Sequence, residues 1–509
     1  MISLTELKRF AREASTLLAR EKDLAGYELY CSSAAHRVAR LNFTSDIASR
    51  GLEELKSLNA DGFALRIVMR RDVHETGSAV TAGDLSLAAI RDNLSRARAS
   101  LIIDPHFAGL PAAPRGLENE AAVPPSGLIK TRDDLLGRCA WRILSGAIET
   151  FEKRAPLKLA HPGLIIGGDL SLIHDRVAIA NSAFDAIQSD ETAFFSSSVT
   201  VLIESLEAKG TATAIGSSSD DMEDAAAKLG RDAILQALAL RHGERPSGGQ
   251  YRIILGSQPV AEIINYVVLG SLTTGAFHAA NSCYYGHFGA AVMDQRLSLV
   301  DDPQARSGTI RRRITCEGLP ARRTDLIRDG KLVGLLSNYY DRNRLLTDER
   351  RGEKLGPGAP ATLDFPAQSG YRLGEGGARR FDSHLGSTGT NVILHTTGGI
   401  DEKQMLASVR DGIYVGRVWY TYPINGQRAG DFTCTISGDS HVIRDGKLAA
   451  PLAPNCLRIN ANISQVFTRP LAVGKRPLPA IVWGAPEAYF TPALALEGIT
   501  LTSVNAAPQ

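Results

Sequence analysis

The sequence predicts an α+β protein of two domains: an N-terminal domain of helices and antiparallel strands over residues 1–240, and a β-rich C-terminal domain over residues 250–509. Three observations carry this prediction. Helical and strand periodicities alternate through the first half. A Gly-rich basic stretch, Arg241-His242-Gly243-Glu244-Arg245-Pro246-Ser247-Gly248-Gly249, then interrupts the pattern as an interdomain linker, and turn dipeptides crowd the second half.

Leu4, Leu7, Phe10, Ala11, Ala14, Leu17 and Leu18 recur at helical spacing, so the chain opens on an amphipathic helix rather than a secretory signal. Tyr27–Cys31 and Val38–Phe43 are expected as two strands, and Gly62–Met69 alternates with period two and pairs with Glu75–Val80 as a hairpin. Asp84 is placed to cap a helix ending near Arg98. Pro111, Pro114, Pro124 and Pro125 make 106–127 a surface loop or lid. A helix over 131–153, strands over 163–180, 193–204 and 211–217, and a helix over 221–238 with acids in its first turn complete the domain.

After Tyr251 a helix over 259–272 is followed by short strands. Asp329-Gly330, Asn425-Gly426 and Asp445-Gly446 supply the positive φ of tight hairpins, which predicts an antiparallel sheet or barrel. The segment 350–379, rich in Gly and Pro, is expected as a long flexible loop.

The charge balance, 57 Lys+Arg against 55 Asp+Glu, argues against a nucleic-acid partner. The densest basic run is Arg311, Arg312 and Arg313, and Arg322 and Arg323 beside it are answered by Glu317 and Asp325. No stretch approaches the roughly 18 apolar residues of a membrane span, so no membrane association is expected. Six cysteines (Cys31, Cys139, Cys283, Cys316, Cys434 and Cys456) without a CxxC pair suit free thiols and a cytoplasmic location.

The chain carries no HExxH helix, no phosphate loop and no nucleophile elbow. His74-Glu75 has no second histidine four or five residues on. The tightest mixture of metal donors is His278, Cys283 and His287, whose spacing is that of no common zinc finger. The plainer reading is a polar loop.

Several strings that are bland by chemistry alone form a pattern when taken in order: Leu65-Arg66, Leu299-Val300-Asp301-Asp302-Pro303, Cys316-Glu317-Gly318-Leu319-Pro320-Ala321-Arg322-Arg323-Thr324, Ile327-Arg328-Asp329-Gly330-Lys331-Leu332, Ser387-Thr388-Gly389 and Gly430-Asp431-Phe432-Thr433. Together they resemble the TldD/PmbA family of peptide-processing metalloproteases. The resemblance implies a helix-bearing first domain, a β-rich second one and two subunit types. One type holds zinc through an HExxxH helix and a cysteine near the C-terminus; the other lacks those ligands.

In this chain the helix after Tyr251–Leu255 reads Ala261-Glu262-Ile263-Ile264-Asn265-Tyr266. Ala261 and Tyr266 occupy the two histidine positions, and Cys456 is the last cysteine. A catalytic zinc needs three protein donors and an open position for water. The resemblance therefore implies the metal-free, PmbA/TldE-like type, inactive alone and without a cofactor of its own. Glu262 is then a vestigial base or an ordinary helix residue. Zinc is expected in a partner, an HExxxH-bearing TldD-like subunit forming a heterodimer, with a homodimer of this chain as the other arrangement. The implied substrate is an extended peptide held by strand addition, for which Gly412, Ile413, Tyr414 and Val415 are candidates. Two alternatives stand beside this reading: a stand-alone peptide-binding scaffold, and a hydrolase with its metal relocated to His278, Cys283 and His287.

Overall fold

The structure is a computed structural model that describes residues 1–47, 50–70, 75–117, 127–131, 133–155, 162–306, 308–360 and 362–504. His74, Pro124 and Pro125 lie outside the described residues.

Among the described residues, eight strands of the N-terminal half form one wholly antiparallel sheet. Its central strand, Leu24–Thr44, pairs with Lys56–Met69 on one side and Leu164–Asn181 on the other. The two strands expected at 27–31 and 38–43 are therefore one. Nothing between them is a Gly, a Pro or a turn pair, and Ser32 and Ser33 are fully buried in the ladder.

Four helices cover one face of this sheet. Leu4–Leu18 and Leu87–Ala99 pack on Leu29, Cys31, Phe63 and Leu65. Asp133–Arg154 and Ser219–Ala239 pack on Ala39, Leu41, Leu170 and Leu172. The cap expected at Asp84 is Ser86 instead, whose hydroxyl accepts the Ala89 N–H at 3.1 Å.

The opposite, helix-free face meets the C-terminal half. Tyr30, Ala64, Val177 and Ile179 share a core with Ile314, Cys316, Tyr371 and Phe381. That half contributes a six-stranded sheet and a nine-stranded sheet. In the latter, Gly249–Leu255 runs parallel to Gly412–Val415 and antiparallel to Leu494–Ser503. Asp329-Gly330 and Asp445-Gly446 turn two hairpins with both residues at positive φ, as their sequences require.

The flexible loop expected over 350–379 is pinned instead. It contains the helix Arg351–Leu355, buries Lys354, Phe365 and Tyr371, and ends in Arg379, which is wholly buried. Arg379 pairs with Asp175 at 2.7 Å and Asp190 at 2.8 Å, both on the N-terminal sheet. The apolar residues interspersed among the glycines and prolines provide the anchors. Residues 106–117 are likewise held: Leu117 is buried and its carbonyl accepts from Arg313 at 2.5 Å. Two members of the basic run, Arg312 and Arg313, are thus interior residues.

Candidate functional site

The strand Gly249–Leu255 delivers the chain to the segment that carries Ala261, Glu262 and Tyr266. A single helix is expected there; three windings are found. An α-helix over Ser257–Ile263 passes into a π-helical turn over Ile264–Val268 and a 3-10 turn over Leu269–Ser271. Residues five apart on an α-helix diverge by about 140°. A π turn adds residues to the winding and recovers that angle, and such turns concentrate at functional sites. The π turn thus reduces the angle between Ala261 and Tyr266, which stand five residues apart.

Ala261 is fully buried and Glu262 nearly so. Gln258 donates to the Glu262 carboxylate at 2.9 Å, and its amide also bonds both backbone groups of Val418, at 3.2 and 3.0 Å. Val418 lies on Arg417–Ile424, an edge strand of the nine-stranded sheet. A β-bulge interrupts this strand, with Trp419 opposite Thr435 and Tyr422 opposite Thr433. Tyr420 within it takes φ +52°. The extra residue turns Trp419 and Tyr420 outward in succession and buries Thr421. Lys209, from the edge strand Ala208–Gly216 of the N-terminal sheet, sits 4.5 Å above the Trp419 ring. Burial pushes the Glu262 carboxyl up to about 7, against the opposing pull of Thr421, Arg417 and Gln258.

On the other side of the helix is Leu478–Ala480, an edge strand of the six-stranded sheet, followed by segment 481–487. The Tyr266 hydroxyl donates to the Trp483 carbonyl at 2.8 Å. A cavity of about 230 Å³ lies beneath segment 481–487, against the helix-free face of the N-terminal sheet.

The residues present do not fit a zinc ion. Ala261 has no donor atom, the Tyr266 hydroxyl is committed to a carbonyl, and Glu262 offers one buried carboxylate. Among the described residues no three His, Cys, Asp or Glu side chains are grouped to hold a metal.

Two sequence-derived sites need correction. His278, Cys283 and His287 are not brought together. His278 lies 3.3 Å from Asp348, Cys283 packs against the large C-terminal core, and the exposed His287 ring bonds the Tyr285 carbonyl at 2.8 Å. Burial raises the Cys283 thiol to about 11, away from the thiolate that zinc requires. Gly412, Ile413, Tyr414 and Val415 do not form an edge. Their strand is paired with Gly249–Leu255 on one side and His441–Arg444 on the other, so its backbone groups are already satisfied. The strands that end their sheets near the Glu262 helix are Arg417–Ile424, Leu478–Ala480 and Ala208–Gly216, with Gln258 capping the first at Val418 and Gln236 the last at Thr211.

The strings behind the family resemblance lie inside the molecule. Asp301 accepts from the Thr390 N–H at 2.6 Å and hydroxyl at 3.0 Å, and Thr388 bonds Glu487. Glu317, expected to answer Arg322 and Arg323, is buried and receives the Tyr339 N–H at 3.0 and 3.1 Å. Burial raises Asp301 to about 7 and Glu317 to about 8. These bonds tie together separate segments of the C-terminal half. Gln258, Arg417, Thr421 and Trp483 escaped sequence reasoning because no spacing links them; the aromatic run from Trp419 to Tyr422 was the one visible signal.

Fold and site together define a metallopeptidase-like scaffold whose motif helix carries no metal ligands. The family model of the PmbA/TldA metallopeptidase C-terminal domain matches residues 248–503, and the chain belongs to this family. Among solved structures it is similar to TldE from Thermococcus kodakarensis, at 15% identity and a TM-score of 0.74, over 98% of this chain and 100% of that one. It is also similar to two proteins described as proposed modulators of DNA gyrase. The one from Bacteroides thetaiotaomicron is 16% identical with a TM-score of 0.69, over 98% of this chain and 99% of that one. The one from Thermotoga maritima is 13% identical with a TM-score of 0.70, over 97% and 99%. At these identities the likeness is one of fold. Comparison with curated proteins finds no match.

Proposed function

We propose that this chain is a non-metal-binding subunit of a peptide-processing metalloprotease complex, forming part of the substrate channel while a TldD-like partner with an HExxxH helix supplies the zinc. One observation carries the reading. The segment where the resemblance puts the zinc motif winds through a π turn, and Ala261 and the carbonyl-bonded Tyr266 stand at the two positions the resemblance gives to histidine. The sheet-terminal strands Arg417–Ile424, beyond the Val418 position that Gln258 caps, and Leu478–Ala480 lie beside that helix and support strand addition of an extended peptide, which binds main chain with little regard to sequence. Six free cysteines favour a reducing, cytoplasmic setting, and no described helix is long and apolar enough to cross a membrane.

The test is zinc content and hydrolysis of unfolded peptides, measured on the chain alone and after co-purification with an HExxxH-bearing relative from the same genome. Metal-free, inert chain and an active pair are expected. Zinc at one per chain with activity alone overturns the proposal.

A further inference from the structure

We propose that the cavity beneath segment 481–487 binds the cationic group of a peptide, an ammonium or guanidinium together with its aliphatic stem. The inference rests on the peptide-channel reading and names the chemistry that one wall of the channel selects.

The floor of the cavity is the helix-free face of the N-terminal sheet, where register sets His36 beside Ile173, Ile173 beside Phe194, and Ser171 beside Ser196. Ile173, Phe194, Ile215, Ile310 and Val482 give it apolar walls suited to a methylene stem. Asp169, Glu375 and Glu487 bring three carboxyl groups to the same space. The whole chain has a net charge of only +2, so this acidic surplus is local.

Asp169 accepts from the Ser171 hydroxyl at 3.3 Å and Glu487 from the Thr388 hydroxyl, while the Tyr489 hydroxyl gives its proton to Asn265 at 2.7 Å. Neighbouring cations answer these carboxyls only in part. Arg380 pairs with Asp382; the buried Arg312, which donates to the Gly377 carbonyl, offsets part of the Glu487 charge, and the exposed Arg40 part of that of Asp169, which leaves Glu375 as the carboxyl these two do not answer.

His36 points independently to a donor ligand. The Ser171 hydroxyl gives its single proton to Asp169, so at its 3.2 Å contact with His36 Nε2 it accepts. That fixes the proton on Nε2 and leaves a lone pair on Nδ1, an atom that is buried and has no partner among the described residues. Burial holds the ring below the usual histidine range, so His36 is neutral and adds no opposing charge. An ammonium or guanidinium N–H completes this acceptor. Trp483, 85% exposed, also lines the cavity and offers an aromatic ring to a cation, and Tyr266 holds its backbone in place.

The experiment is calorimetric titration of the full chain with n-butylammonium, n-butylguanidinium and neutral n-butanol. Anisotropy is then measured with a labelled unfolded peptide containing one lysine, with its norleucine twin, and with N-acetylated forms of both. The cations are expected to bind and the alcohol not, with Asp169→Asn/Glu375→Gln weakening the cations about tenfold. Trp483→Ala, at an exposed position, is expected to weaken them about threefold. Loss of affinity in the norleucine twin assigns the site to a side chain; loss on acetylation assigns it to the chain terminus. Small cations that bind while no peptide does would retain the site and remove the peptide reading. Peptides that bind equally with lysine or norleucine and with free or acetylated ends, while neither cation binds, overturn the cavity proposal and leave the channel reading intact.

Discussion

The Tyr266 hydroxyl and the Trp483 carbonyl form a 2.8 Å hydrogen bond that fastens the motif helix to the roof of the cavity between the two halves. The helix position that presents an imidazole in the zinc-bearing members implied by the family resemblance therefore has a structural task in this chain. Tyr266→Phe is expected to cost about 1 kcal/mol, the value of one partly exposed hydrogen bond. A lowered thermal midpoint accompanied by weaker n-butylammonium binding is the expected outcome. An unchanged midpoint would show that packing of segment 481–487 suffices without the bond.

Histidines placed at the two positions that the resemblance gives to metal ligands are not expected to build a metal centre. Ala261→His places a large ring at a fully buried position, where overpacking costs about 1–3 kcal/mol. With Tyr266→His added, two imidazoles are present, but the described residues provide no third donor beside them. The double variant is expected to melt earlier and to retain no stoichiometric zinc after dialysis, as read by atomic absorption. One tightly held zinc per chain would reveal a third donor in a rearranged site.

The four N-terminal helices were legible from periodicity because their apolar residues recur at helical spacing and are the ones buried against the sheet. The long central strand was read as two because pairing on both sides, not residue propensity, carries it through Ser32 to Arg37. The fate of 350–379 was hidden for a similar reason. Its glycines and prolines announce a loop, whereas the buried ion pairs of Arg379 depend on Asp175 and Asp190, some two hundred positions away in sequence. At the site, Ala261, Glu262 and Tyr266 were singled out from the sequence, and the structure places them on one continuous helical segment. The bulge at Tyr420 and the cavity were not, since each arises from segments that meet only in three dimensions.

Arg379 is the strongest single tie between the halves. It is fully buried with Asp175 and Asp190 and also donates to the Thr192 hydroxyl at 3.1 Å. Arg379→Met strands two buried carboxylates and is expected to cost about 3–5 kcal/mol. Arg379→Lys recovers little, because an ammonium cannot reproduce the fork that serves both acids at once. Urea midpoints of the two variants check this, and a lysine variant matching the parent chain would refute it.

Gly376 takes φ +73°, and a Cβ there would meet the His36 ring at 3.1–3.3 Å. Gly376→Ala therefore combines a left-handed backbone penalty of about 1–2 kcal/mol with displacement of the imidazole. The expected result is a lower thermal midpoint and weaker binding of n-butylammonium. Loss of stability with unchanged binding would mean that His36 does not contact the cation.

The pH dependence of stability follows from three buried carboxyls, Glu262 and Asp301 raised to about 7 and Glu317 to about 8. Burial is the leading cause in each. Their folded values exceed the unfolded range near 4, so between roughly pH 4 and pH 8 these three groups hold more protons in the folded chain than in the unfolded one, while His36, His278, His395 and His441, held below the usual histidine range by burial, act in the opposite sense below about pH 7. The carboxyl contribution then falls as pH rises: it is complete below the unfolded values and is lost on passing through 7 to 8. For Glu262 alone the shift corresponds to up to ~3 kcal/mol, at about 1.4 kcal/mol per pH unit. Urea midpoints are thus expected to decline from pH 7 to pH 9. Glu262→Gln, which keeps an acceptor for Gln258 without a titrating proton, should flatten part of that slope and be more stable than the parent chain at pH 8. A parent profile that rises across this interval, or a variant profile parallel to it, would show that the Glu262 carboxylate is ionised in its buried setting.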